Sequence, residues 1–163
     1  MGIATLLATG AATTATAALG GLASAPAVKS SWYAQLRKPA YQPPRQVFPV
    51  VWPALYTDIA VVSAATVDEL SASGRDSERR AYQAGLALNL ALNAAWSWVF
   101  FNRRRFGTAT VISAALTVSS ADLTRRAISA VGGRAAPLAL YPLWCTFATV
   151  LCGHIARLNR RAG

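Results

Sequence analysis

Apolar residues dominate five stretches of the chain, at about 2–28, 46–67, 81–101, 106–131 and 135–155. Polar connectors separate them: KSSWYAQLRKPAYQPPR, DELSASGRDSERR, NRRR and GGR. A helix that crosses a bilayer needs about 20 predominantly apolar residues, and each stretch meets that length. The pattern predicts an all-α membrane protein, a single domain over 1–163 built as a five-transmembrane-helix bundle. The first stretch carries no charge. Its small residues at 23–25 look like a signal-peptide cleavage site. The stretch is longer than a signal's apolar core and no Lys or Arg precedes it, so a retained helix is expected.

Composition sharpens this. Hydrophobic residues make up 54% of the chain and charged residues 13%, against about 25% charged in soluble domains. The 16 Lys/Arg and 6 Asp/Glu leave a net charge of +10. Such a balance invites a nucleic-acid reading, but the cations sit in short clusters between apolar runs. No nucleic-acid partner is expected, and the clusters report topology instead. Lys29, Arg37, Lys38, Arg45, the arginines at 103–105, Arg157, Arg160 and Arg161 fall on one side; Arg75, Arg79, Arg80 and Arg134 fall on the other. The excess of positive charge places the proline-rich loop and the C-terminus in the cytoplasm and the N-terminus outside. An odd number of spans without an internal repeat argues against an inverted-repeat transporter. Cys145 and Cys152 are seven residues apart, about 10.5 Å along a helix and too far for a mutual disulfide.

Candidate chemistry concentrates on three helices. Asn89, Asn93, Trp96 and Phe100 share a face by their i, i+4, i+7, i+11 spacing. Buried amides there suit two readings, interhelical glue or the polar wall of a ligand cavity. Trp52 and Tyr56 share a face of the second stretch, and Pro53 is expected to kink it. Trp52 suits an interfacial position or an inward one. Trp144 heads a stripe on the fifth stretch. His154, the one histidine, lacks any paired ligand signature. No metal cluster, phosphate loop or Ser-His-Asp order is visible, so no metal site is expected. Asp122 and Arg126 are spaced to pair within one helix. Asp58 is expected to reach Arg125 or Arg126, with snorkelling arginines and an isolated Asp58 as the alternative. Ala109, Ser113, Thr117 and Ala121 form a close-approach face, for a neighbouring helix or a second subunit.

Three blocks resemble the TspO/MBR family of tryptophan-rich sensory and translocator proteins. They are WYAQLRKPAYQPPRQVFPVVWPALY at 32–56, LALNAAWSWVFF at 90–101 and LYPLWCTFATVL at 140–151. The resemblance covers nearly the whole chain. It implies a compact five-helix bundle, commonly dimeric, with the first loop folded over a cavity mouth. It implies a membrane sensory or regulatory protein in a bacterial cell membrane, binding protoporphyrin IX or haem and acting in porphyrin homeostasis and stress response. Sterol-like lipids are further ligands of the family, and no cofactor is required. Two alternatives come with it: a light-dependent porphyrin-degrading enzyme working through Trp52 and Trp144, and a porphyrin or lipid transporter. The implied ligand-binding set is Tyr41, Pro43, Pro44, Trp52, Tyr56, Asn93, Trp96, Phe100, Trp144 and Ala148. Arg37, Lys38 and Arg45 suit porphyrin propionates as well as they suit topology. The chain departs from the family pattern at Tyr41 and Gln46, where tryptophans are usual, and at Gly153, where the sterol-recognition pattern has a tyrosine.

Overall fold

The computed structural model describes residues 2–159. It is all-helical, with no strand among the described residues. Five long helices account for most of it: α1 (Ile3–Ala27), α3 (Phe48–Ala72), α4 (Asp76–Ser97), α5 (Phe106–Val131) and α6 (Leu140–Leu158); α2 (Ser31–Gln35) is a single turn in the first loop. Arg160 and Arg161, two cations of the topology argument, lie outside the described residues.

The boundaries differ from the apolar pattern where polar residues are helical. α3 starts at Phe48 rather than 46 and continues past 67 to Ala72, and α4 starts at Asp76 rather than 81. These polar extensions project beyond the apolar length, where hydropathy carries no signal. Asp76 and Glu78 in the first turn of α4 favour its positive end. Gly74 and Gly132 hold φ of 66° and 65°, a conformation that ends α3 and α5 and that glycine adopts without steric cost. After Gly132 the chain forms a 3-10 segment, Gly132–Ala139, so α6 starts at Leu140 and not 135. Pro142 falls in the first turn of α6, where an N–H has no intrahelical acceptor to lose.

Four helical stretches are long and apolar enough to cross a membrane: Ile3–Ala27, Phe48–Ala72, Asp76–Asn102 and Phe106–Leu158. The last, of 53 residues, folds back on itself at the 3-10 segment. Thr149 meets Ser113 and Thr117, and the Cys152 thiol lies against the Phe106 carbonyl, so α5 and α6 are antiparallel. α5–α6 is the most extensive helix contact, and α1 packs on α3 and α4. The stripe of small residues is thereby assigned: Ala109, Ser113 and Thr117 face α6 inside the bundle, whereas Ala121 is exposed.

The distribution of polarity is that of a protein surrounded by lipid. Ile3, Leu7, Leu22, Val50, Leu88, Val111, Val118 and Leu143 point outward, while Thr9, Thr13, Thr16, Ser63, Thr66, Asn89, Asn93, Ser113 and Ser120 are buried. Buried hydroxyls mostly bond carbonyls one turn back on their own helix, as Thr13 to Thr9 and Thr66 to Val62. Others bridge helices, as Thr9 to the Ala60 carbonyl at 2.9 Å. Asp68 accepts from the Gly2 amide and from Thr5 Oγ1, binding the start of α1 to the end of α3. With lipid outside, apolar burial supplies little drive between helices. Packing and such polar contacts hold them instead.

Candidate functional site

α3 and α6 keep their backbones apart, and large aromatic side chains fill the seam between them. Phe48 and Trp144 are 6.0 Å apart at 67°, Trp52 and Trp144 6.4 Å at 89°, and Trp52 and Tyr56 5.6 Å at 31°. Trp52 and Trp144 are half-buried, and the inward position of Trp52 is the one adopted. Edge-to-face packing suits the charge distribution of aromatic rings. The Trp144 indole N–H is buried without an acceptor among the described residues, an open hydrogen-bond position at the seam.

Behind the seam runs a polar chain across four helices. Tyr56 donates to Asn93 Oδ1 (2.9 Å), Asn93 Nδ2 to the Tyr141 hydroxyl (3.1 Å), Tyr141 to Asn89 Oδ1 (2.8 Å), and Asn89 Nδ2 to Ser119 Oγ (3.2 Å). Both ends of the Asn93 amide are engaged by protein. The amide thereby links α3, α4 and α6 and orients Tyr56. Tyr141 was not singled out by the sequence reading. Its position three residues before Trp144 and seven before Ala148 puts it on the same face, a spacing that marks it. Ala148 is half-buried one turn beyond Trp144.

Trp96 and Phe100 lie elsewhere. A π-helical turn, Trp98–Asn102, follows α4, and the Arg103 amide bonds the Trp98 carbonyl. Trp96 precedes this turn, within α4, and already packs away from the seam. Trp96 and Phe100 stack at 5.2 Å in a second cluster with Phe101, Phe106, Leu151 and Ile155. The ten-residue set thus divides among the seam and the polar chain behind it, this cluster, and the first loop, which holds Tyr41, Pro43 and Pro44.

The first loop runs along α6 as a strap. Arg37 exchanges two backbone hydrogen bonds with the Asn159 side chain, at 3.2 and 2.9 Å. Tyr41 then meets His154 Nδ1 at 3.2 Å and packs edge-on to Phe147, and Phe48 reaches Trp144. From Asn159 to Trp144 the contacts descend α6 by about 22 Å. Leu36 is buried in the second cluster and Trp32 stacks on Phe106, fixing the start of the strap. Pro43 is half-buried and Pro44 exposed, and the Pro44 carbonyl accepts from Val47 to turn the chain into α3. Lys38 sits 4.0 Å over the Tyr33 ring and donates to the Tyr33 carbonyl, and burial draws its pKa down. Burial pushes the Tyr33 phenol up, with the Gln42 hydrogen bond opposing it. Arg45 is exposed.

The expected pairing of Asp58 with Arg125 or Arg126 does not form. Both arginines bond Asp122, at 2.7 and 2.5 Å. The one-turn spacing within α5 satisfies them locally, leaving Asp58 Oδ2 buried without a hydrogen-bond partner among the described residues.

Comparison with known proteins adds the following. The model of the TspO/MBR family matches residues 6–158. The tryptophan-rich sensory protein of Cereibacter sphaeroides is 35% identical over 129 residues, 78% of this chain and 77% of that protein. The translocator protein of Bos taurus is 37% identical over 137 residues, 81% of this chain and 78% of that protein. Protein CrtK of Rhodobacter capsulatus is 31% identical over 134 residues, 79% of each chain.

Proposed function

This chain belongs to the TspO/MBR family and is an integral membrane protein, and from that premise we propose a sensory or regulatory role with a tetrapyrrole, protoporphyrin IX or haem, as ligand. The observation that carries the reading is the α3–α6 seam. Two tryptophans meet at 89° between helices whose backbones stay apart, and one presents an unpartnered N–H. Flat aromatic walls and one open donor suit a flat macrocycle edged with acceptors. The protein acts as a homodimer in a bacterial cell membrane, with five spans, the N-terminus outside and the strap on the cytoplasmic side. Antiparallel α5 and α6 support the fifth span, and the cations along the strap support its orientation.

Titration with protoporphyrin IX in the dark tests this. Saturable quenching of tryptophan fluorescence, weakened in Trp144→Phe, is the expected result. Absence of saturable quenching overturns the reading.

A second reading rests on the run Trp144, Trp52 and Tyr56, whose neighbouring rings are 6.4 and 5.6 Å apart. In light-dependent degradation these oxidisable rings would flank the excited porphyrin, with dissolved oxygen as oxidant. Illumination of the complex separates the two readings. A product spectrum that disappears in the Trp52→Phe, Trp144→Phe variant supports the enzyme, and binding without product supports the sensor.

A further inference from the structure

A groove of about 320 Å³ runs along the outer face of α6, lined by Tyr41, Thr149, Val150, Gly153, His154 and Arg157. It lies apart from the Trp52–Trp144 seam. Tyr41 of the strap forms one wall, held by its contact with His154. Gly153 contributes no side chain to the groove, and a Cβ there would meet Thr110 of α5 at 3.5 Å. Arg157 stands exposed near the end of the helix, and no ion pair engages it among the described residues.

Leu143, Val150 and Arg157 are spaced by seven residues, so they form one stripe. Leu143 and Val150 are 66% and 59% exposed. The stripe is about 21 Å long, somewhat more than the ~15 Å of one hydrocarbon leaflet. Its apolar side chains are Leu143 and Val150, Thr149 and His154 flank it in the groove, and Arg157 makes its end cationic. Charge at that end of the bundle has one sign. The strap, the turn at 103–105 and the end of α6 carry cations and no Asp or Glu. All six acidic residues, Asp58, Asp68, Glu69, Asp76, Glu78 and Asp122, lie elsewhere.

We propose that this groove is a binding site for one anionic phospholipid, with the headgroup phosphate at Arg157 and an acyl chain along Val150 towards Leu143. The apolar stripe selects an amphiphile over a soluble anion. The guanidinium, without an ion pair among the described residues, selects a negative headgroup, offering it two parallel N–H donors. Because Tyr41 forms a wall, the lipid also rests against the strap.

The test uses the full-length protein in bilayers of phosphatidylcholine with one-fifth phosphatidylglycerol, without porphyrin, so its outcome is independent of the tetrapyrrole reading. Native mass spectrometry after gentle release reads the retained lipid. The expected result is one phosphatidylglycerol per chain, retained in preference to phosphatidylcholine. Arg157→Gln reduces that retention about five-fold, the value of one cation near an anionic surface. Val150→Trp reduces it by filling the groove without changing charge. Arg103→Gln, at the same end but outside the groove, leaves it unchanged. Equal retention of the two lipids, an Arg103→Gln loss equal to that of Arg157→Gln, or full retention in Val150→Trp each overturns the proposal. If Arg157→Gln does not fold, Val150→Trp decides the matter, with Arg103→Gln as control.

Discussion

Trp52 and Trp144 stand edge to face, their ring centroids 6.4 Å apart and their planes at 89°, with the Trp144 N–H unpartnered. A buried donor left unmade costs about 1–3 kcal/mol. Replacing it by phenylalanine removes that cost along with some ring contact. Trp144→Phe is therefore expected to leave the melting temperature of the ligand-free protein nearly unchanged while weakening protoporphyrin IX about tenfold, near 1.4 kcal/mol. Thermal melting and fluorescence titration measure the two. A large fall in melting temperature with unaltered affinity would make Trp144 a core residue alone.

The Tyr141 hydroxyl takes a hydrogen bond from Asn93 and gives one to Asn89. Tyr141→Phe strands two buried amide groups at once. The expected destabilisation is about 1–3 kcal/mol, at the low end if the groups find partners within the bundle. Unfolding in mixed micelles measures it. Asn89→Leu introduced into Tyr141→Phe removes one stranded group and is expected to recover part of the loss.

Much of this was written in the sequence, though unevenly. Helix number and order followed from the apolar runs, because lipid demands long uncharged helices. The polar overhangs at Ala72 and Asp76 escaped, because residues outside the apolar length obey capping and loop chemistry instead. Asn89 and Asn93 were legible as a buried pair by spacing. Their partners Tyr141 and Ser119 lie 52 and 30 residues beyond Asn89, a relation that no local period encodes. Trp96 and Phe100 pack in a second cluster further along the helix from Asn93, a separation along the axis that face periodicity does not report. Asp58 was given a distant arginine when Asp122 lay within one turn of both candidates, and local pairing won.

Asp58 has a buried oxygen with no hydrogen-bond partner among the described residues, in a helix long and apolar enough to cross a membrane. A carboxylate held there unpaired is costly, by about 2.5–3.5 kcal/mol on insertion scales. Asp58→Leu is expected to raise stability by on the order of 1 kcal/mol, read as a higher melting temperature. Arg126→Asp is expected not to rescue the expression of Asp58→Arg, since Arg126 belongs to Asp122. Rescue would instead reveal a long-range ion pair.

The strap is held at its upper end by Asn159, whose side chain gives one hydrogen bond to the Arg37 carbonyl and takes one from the Arg37 amide. Leu36 and Trp32, just before this clamp, are anchored independently by apolar and ring contacts. Asn159→Ala should then free the strap below Arg37 without unfolding the bundle. Two hydrogen bonds of about 0.5–1.5 kcal/mol each correspond to roughly tenfold or greater local opening. Hydrogen exchange is expected to accelerate by that factor at the amides of Arg37, Lys38, Tyr41 and Gln42, with those of α5 unchanged. The same variant asks where a ligand leaves the seam. If the strap guards the exit, protoporphyrin dissociation accelerates in parallel with exchange. If the ligand leaves sideways between α3 and α6, exchange accelerates alone, because Asn159 is about 22 Å along α6 from Trp144.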